Sequence, residues 1–127
     1  MRKILLLFCF LLISNIKLFA EFDANPNCIN AYEKIFNLNF SDAKKLIAQE
    51  EKMNPKNKFT VFLNNYIDFL SLVIDENSQN YNSLKEKQSS RIEIIEGSSI
   101  NNPYKNYCLA NVYLQWGIVK LKFKDYL

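Results

Sequence analysis

From Cys28 onward, apolar residues return every three or four positions, the spacing that lines one face of a helix. Five helical segments follow from that rhythm, with the start of a sixth. The first spans 28–38, with Cys28, Ala31, Tyr32, Ile35 and Phe36 on one face. The second spans 42–54. Ser41 is placed to cap it, Asp42 suits its positive end, and Pro55 closes it. Its inner stripe is Ala43, Leu46, Ile47 and Met53, interrupted by Glu50. The third, 59–75, is the most apolar: Phe59, Phe62, Leu63, Tyr66, Leu70, Val73 and Ile74 share one side, and Asn64, Asn65, Asp68 and Ser71 the other. That division describes a central packed helix and excludes a membrane span.

The fourth segment, 79–96, is more polar and keeps the rhythm through Tyr81, Leu84, Gln88, Ile92 and Ile95. Gly97 is placed as its left-handed stop. Asn102 and Pro103 then open a fifth segment, 104–123, that is apolar almost all round. Such a helix is expected to have neighbours on both sides. Gly117 inside it costs up to ~1 kcal/mol against alanine and predicts a close backbone neighbour. The final "KDYL" reads as a turn towards a sixth helix.

Composition supports an all-α fold of antiparallel helical hairpins. The chain holds two glycines in 127 residues, too few for the many tight turns of a sandwich or barrel. The first 20 residues read as a signal-peptide helix: Arg2 and Lys3, an unbroken apolar run from Ile4 to Ile13, and a small residue, Ala20, before the expected cut. An uncleaved anchor is the rival reading, but the run is short against the roughly 17–25 residues a span needs. Removing the leader changes the charge. Sixteen Lys and Arg stand against 13 Asp and Glu, formally +3, and Arg2, Lys3 and Lys17 all lie in the leader, leaving 13 against 13. No basic stripe remains for nucleic acid. Residues 21–127 form one helical domain of an exported protein, periplasmic, cell-surface or secreted, touching membrane only through the signal segment.

The opening of the second helix carries a specific spacing. Ala43 stands three residues after Phe40, Ile47 four after Ala43, and Met53 and Pro55 close the run. This resembles the turn and second helix of a tetratricopeptide repeat, in which a small residue lets two helices cross closely and a proline ends the unit. Tyr113, Trp116, Gly117 and Tyr126 resemble the first helix and turn of another repeat. The departures are Glu50 in place of alanine, Lys34 where an aromatic is common, and no glycine in "NLNF". Phe40 and Tyr126 are also not separated by a multiple of the ~34-residue period. The pattern as a whole is similar to the start of exported bacterial proteins of this class. The resemblance implies the beginning of an α-solenoid, cut short after Leu127, that binds other proteins or peptides.

Candidate chemistry is sparse. There is no histidine, and no glycine-rich phosphate loop. Glu50 with Glu51, and Asp75 with Glu76, are adjacent pairs whose side chains diverge on a helix. Cys28 and Cys108 could bridge in an oxidising compartment or sit as two buried thiols. Tyr107, Tyr113 and Trp116 could line a groove, though helical spacing favours a core role. Lys85, Lys87 and Arg91 make a mild basic strip that Glu86, Glu93 and Glu96 offset. Asn39 opens an "NFS" acceptor pattern within a tight turn. No catalytic, cofactor-binding or metal-binding residue is assigned. The expectation is a non-catalytic protein-interaction scaffold. The alternatives are the periplasmic sensor segment of a membrane-anchored signalling protein, or a helical lead-in to an exported enzyme.

Overall fold

Asparagine starts most of the helices. The computed structural model describes residues 20–98 and 102–126, so all of the expected signal segment but Ala20 lies outside the described residues. Asn25 accepts from the Cys28 N–H and opens α1 (Pro26–Phe36). Asn39 does the same for Asp42 and opens α2 (Phe40–Met53). Asn77 caps α4 (Ser78–Lys85), and Asn102 caps α6 (Pro103–Lys122). A short side-chain oxygen here satisfies an N–H that has no partner within the helix. Ser41 therefore lies inside α2 and is not its cap. The Asn39 amide is also bound to the Asp42 carboxylate, 2.9 Å away.

Helix ends depart further from expectation. Gly97 has φ −65° and is not a left-handed stop. A Cβ there would sit 3.0 Å from the Glu93 carbonyl oxygen, so tightness is what favours glycine. The left-handed positions are taken by Leu38 (φ 59°), Glu76 (φ 50°) and Lys124 (φ 57°). At Leu38 the turn is closed by Asn39 N–H donating to the Lys34 carbonyl at 2.8 Å. The expected fourth helix is two, α4 and α5 (Lys87–Glu96), meeting at Glu86, whose dihedrals stay right-handed.

Among the described residues the fold is all-helical, with no strand. Helix α3 (Phe59–Asp75) has the bounds its pattern predicts and is the hub. It packs against α1, α2, α4, α5 and α6, while the α1–α2 hairpin is the most extensive pairing. Ala31 and Ala43 are fully buried, as close helix packing in that hairpin requires. Phe36, Met53 and Ile74, expected on inner faces, are exposed.

Two buried polar networks join these helices, one around Glu50, which the periodicity places in an inner stripe, and one around Asn65, which it places outside. Glu50 is 2 % exposed. Its carboxylate accepts from the amides of Asn25 (2.7 Å), Asn57 (2.8 Å) and Asn27 (3.4 Å). Asn57 also takes the Asp23 N–H on Oδ1 and donates to the Asp23 carbonyl. One acid thus fastens the segment before α1, the start of α1 and the α2–α3 turn.

Asn65, expected on a polar outer side, is 1 % exposed. Its Oδ1 accepts from Arg91 Nη1 (3.0 Å) and Trp116 Nε1 (2.9 Å), and its Nδ2 donates to Gln115 Oε1 (2.7 Å). Arg91 Nη2 reaches Asp68 at 2.5 Å. The basic strip of Lys85, Lys87 and Arg91 is therefore a solvated face only at its two lysines. Arg91 turns inward, Lys87 lies 3.8 Å from Asp68, and Lys85 lies 3.4 Å from Asp125.

Leaving buried donors unpaired costs about 1–3 kcal/mol per group. Asn65→Leu strands Arg91, Trp116 and Gln115 together and is expected to lower stability by about 3 kcal/mol or more in urea titrations. Glu50→Gln, which turns one acceptor oxygen into a donor facing amide donors, is expected to lose about 1–3 kcal/mol. Leu38→Gly should instead gain up to about 1 kcal/mol, because the left-handed conformation penalises a Cβ and Leu38 is largely exposed.

Candidate interaction surface

The groups with the chemistry of nucleophiles are held quiet. Cys28 and Cys108 are buried free thiols. Burial pushes both up to about 12, with Glu50 and Asp23 adding to the effect at Cys28 and Cys28 adding at Cys108. Both stay protonated at neutral pH, and the thiolate is the reactive form. No Cα of α1 comes within 8 Å of any in α6, beyond the span of a disulfide.

The carboxylate pairs do not converge. Glu50 is occupied by its amides, while exposed Glu51 accepts from Asn64 at 3.2 Å. Glu76 engages Lys122 at 2.6 Å, away from Asp75. Among the described residues no group of three or more His, Cys, Asp or Glu is placed to hold a metal ion. No described helix is long and apolar enough to cross a membrane.

The aromatic residues divide into two roles. Trp116 is buried and bound to Asn65, a core residue. A ladder of rings runs across α1, α3 and α6. Tyr32 lies 5.5 Å from Tyr66, Phe62 lies 6.0 Å from Tyr66, and Tyr107 meets Phe62 edge-on at 5.7 Å. Burial, and then Tyr32 beside them, pushes the Tyr66 and Tyr107 hydroxyls upward.

At the far end of α6, Tyr81 stacks on Phe123 with ring centroids 4.5 Å apart and donates to Asp125. Burial, and then that carboxylate, pushes the Tyr81 hydroxyl up to about 12. The same bond, followed by one from Lys85, holds Asp125 below the usual carboxylate range.

The outer face of α6 is largely open, with the Tyr113 hydroxyl donating to Glu96 at 3.3 Å at its edge. Its inner side, carrying Cys108, Val112, Gln115, Trp116 and Val119, packs on α3 and α5. Tyr113, Leu114, Ile118, Leu121 and Tyr126 are exposed, and with Gly117 they line an open groove of about 640 Å³. Gly117 does not meet the close backbone that its helical position predicts: a Cβ built there has nothing within 4 Å. The all-round apolar pattern of α6 thus describes a helix packed on one side and bare on the other. No protein-family model matches the chain, and no curated protein or solved structure is significantly similar to it.

The buried thiols and Tyr81 set an alkaline limit. Each has a folded-state value above its ordinary one, 9.0 for the thiols and 10.0 for Tyr81. Their stabilisation is complete below those ordinary values and is lost as pH rises towards about 12. Urea midpoints should be flat near neutrality and fall above about pH 9, with a shallower fall in Cys108→Ala. Cys28 and Cys108 should both resist a thiol reagent at neutral pH until denaturant is added.

Proposed function

We propose that the chain is a non-catalytic protein-binding scaffold of an exported protein, built as the start of a tetratricopeptide-like stack and binding a partner through the outer face of α6. The observation that carries this reading is the apolar groove over Gly117, flanked by Leu114 (62 % exposed) and Leu121 (64 % exposed). Contiguous apolar surface of this kind is costly to leave in water, which supports a partner that covers it.

The helix order supports the same reading. Helices α1, α3 and α6 lie side by side in sequence order, α2 sits beside α1 and α3, and α5 beside α3 and α6. That is the neighbour pattern of stacked helical hairpins, in which each unit buries one face on the last and offers another to the next. The fully buried Ala43 in the repeat-like spacing of α2 agrees with it. Gly117 would then give a partner helix room to approach closely along α6.

Photo-crosslinking in the producing cell tests the proposal. A crosslinking residue at Leu114 or Leu121 is expected to trap a protein partner that one at the solvent-facing Lys45 does not. Leu114→Lys with Leu121→Lys should abolish hydrophobic-dye binding while leaving the urea midpoint within about 0.5 kcal/mol, since both sites are exposed. Identical crosslinks from the groove and from Lys45 would overturn the reading.

A further inference from the structure

We propose a second binding site on the opposite side of the hub helix: a groove along the first half of α3 that takes an extended peptide segment with acidic residues at both ends and apolar residues between them. The groove follows from the packing. Helices α2 and α5 both lie on α3, yet no Cα of one comes within 8 Å of the other. The strip of α3 between them is left open as two hollows, of about 420 Å³ and 350 Å³, which share Val61 and Ile94.

Each hollow carries positive charge. In the larger one Lys44 of α2 faces Lys87 and Arg91 of α5, with Asp68 the single acid. Asp68 is engaged by Arg91 and Lys87, whereas Lys44 makes no ion pair among the described residues. The smaller hollow has Lys56 and Lys58 against Glu21. Glu21 accepts from Ser98 and lies 3.6 Å from Lys58. The Ser98 bond, with Lys58 and Lys105 adding to it, holds Glu21 below the usual carboxylate range, and each of the two acids already has cationic partners. Positive charge remains in excess at each end, and the waist between them is apolar, formed by Val61 and the half-exposed Ile94.

The spacing sets the ligand. Lys58 and Asp68 are ten positions apart on the α3 register, about 15 Å at 1.5 Å per residue. An extended chain covers that distance in about five residues at roughly 3.3 Å each. A short acidic–apolar–acidic segment therefore places a carboxylate at each basic end and its apolar side chains over Val61 and Ile94. A single-ended ligand answers only one basic end, and a uniformly acidic one lays charge over the apolar waist. Opposed patches of this kind set orientation and partner choice. The site shares no lining residue with the α6 face and does not depend on the scaffold reading.

The test uses the full mature chain and the blocked peptide Asp-Glu-Leu-Leu-Asp-Glu, with fluorescence anisotropy for affinity and amide NMR shifts for location. Binding is expected to shift Val61, Asn64 and Ile94. Lys44→Glu with Lys87→Glu is expected to weaken it about tenfold or more, and the peptide reordered with all four acids at one end to bind several-fold less tightly. Lys34→Glu with Lys124→Glu makes the same charge change on exposed lysines elsewhere and should leave affinity within about twofold. Arg91 is left intact because it holds Asn65. Absence of binding at millimolar peptide, equal loss in both double variants, or equal affinity for the reordered peptide would each overturn the proposal. Failure at this groove leaves the crosslinking result at Leu114 and Leu121 untouched.

Discussion

A polar group taken out of water must find partners inside the protein, and this fold is organised by two that do. Glu50 and Asn65 are almost completely buried, and the partners of each come from separate pieces of chain. Apolar packing would tolerate small slides of one helix on another, because dispersion has little direction. Hydrogen bonds at 2.7–3.0 Å do not tolerate them. The Glu50 amides hold the segment just before α1 and the α1–α2 hairpin to the foot of α3. The Asn65 network holds α5 and α6 to its middle.

The Glu50 junction has no cation among the described residues. Burying a carboxylate is costly unless several donors meet it. Here they are amides, and two of those amides are themselves oriented by backbone groups. Asn25 is committed to capping α1, and Asn57 to both the N–H and the carbonyl of Asp23. Their Nδ2 groups are thereby aimed at Glu50. The same orientation makes the cluster a poor cation site, since it presents N–H groups where a metal would need oxygen. Glu50 carries a structural consequence of its own: it ties the turn after α2 to the residues ahead of α1.

Much of the fold was legible in the sequence because helix periodicity is a local signal. The bounds of α3, the proline-led start of α6 and the small residue Ala43 inside the hairpin all follow from residues a few positions apart. What was not legible depends on distant residues or on quiet backbone events. Asn65 reads as polar surface until Arg91, 26 positions on, and Trp116, 51 on, are brought to it. The asparagines at 25, 27 and 57 are unremarkable until Glu50 gathers them. The break at Glu86 has no glycine or proline to announce it, since its dihedrals never leave the helical region. Leu38 is not a residue type that announces a left-handed turn. The groove flanked by α2 and α5 is a gap between elements, which no single segment encodes. The bare face of α6 was half visible, as an apolar excess, but its direction was set by which side Asn65 claims.

One consequence of the Asn65 junction is optical. Trp116 is the sole tryptophan of the chain, and its indole is sealed where α3, α5 and α6 meet. Its emission therefore monitors a single event, the seating of α6, without any label. Rearrangements confined to the α1–α2 hairpin should leave that signal almost silent, so loss of the two halves of the molecule can be followed separately by pairing it with far-ultraviolet circular dichroism.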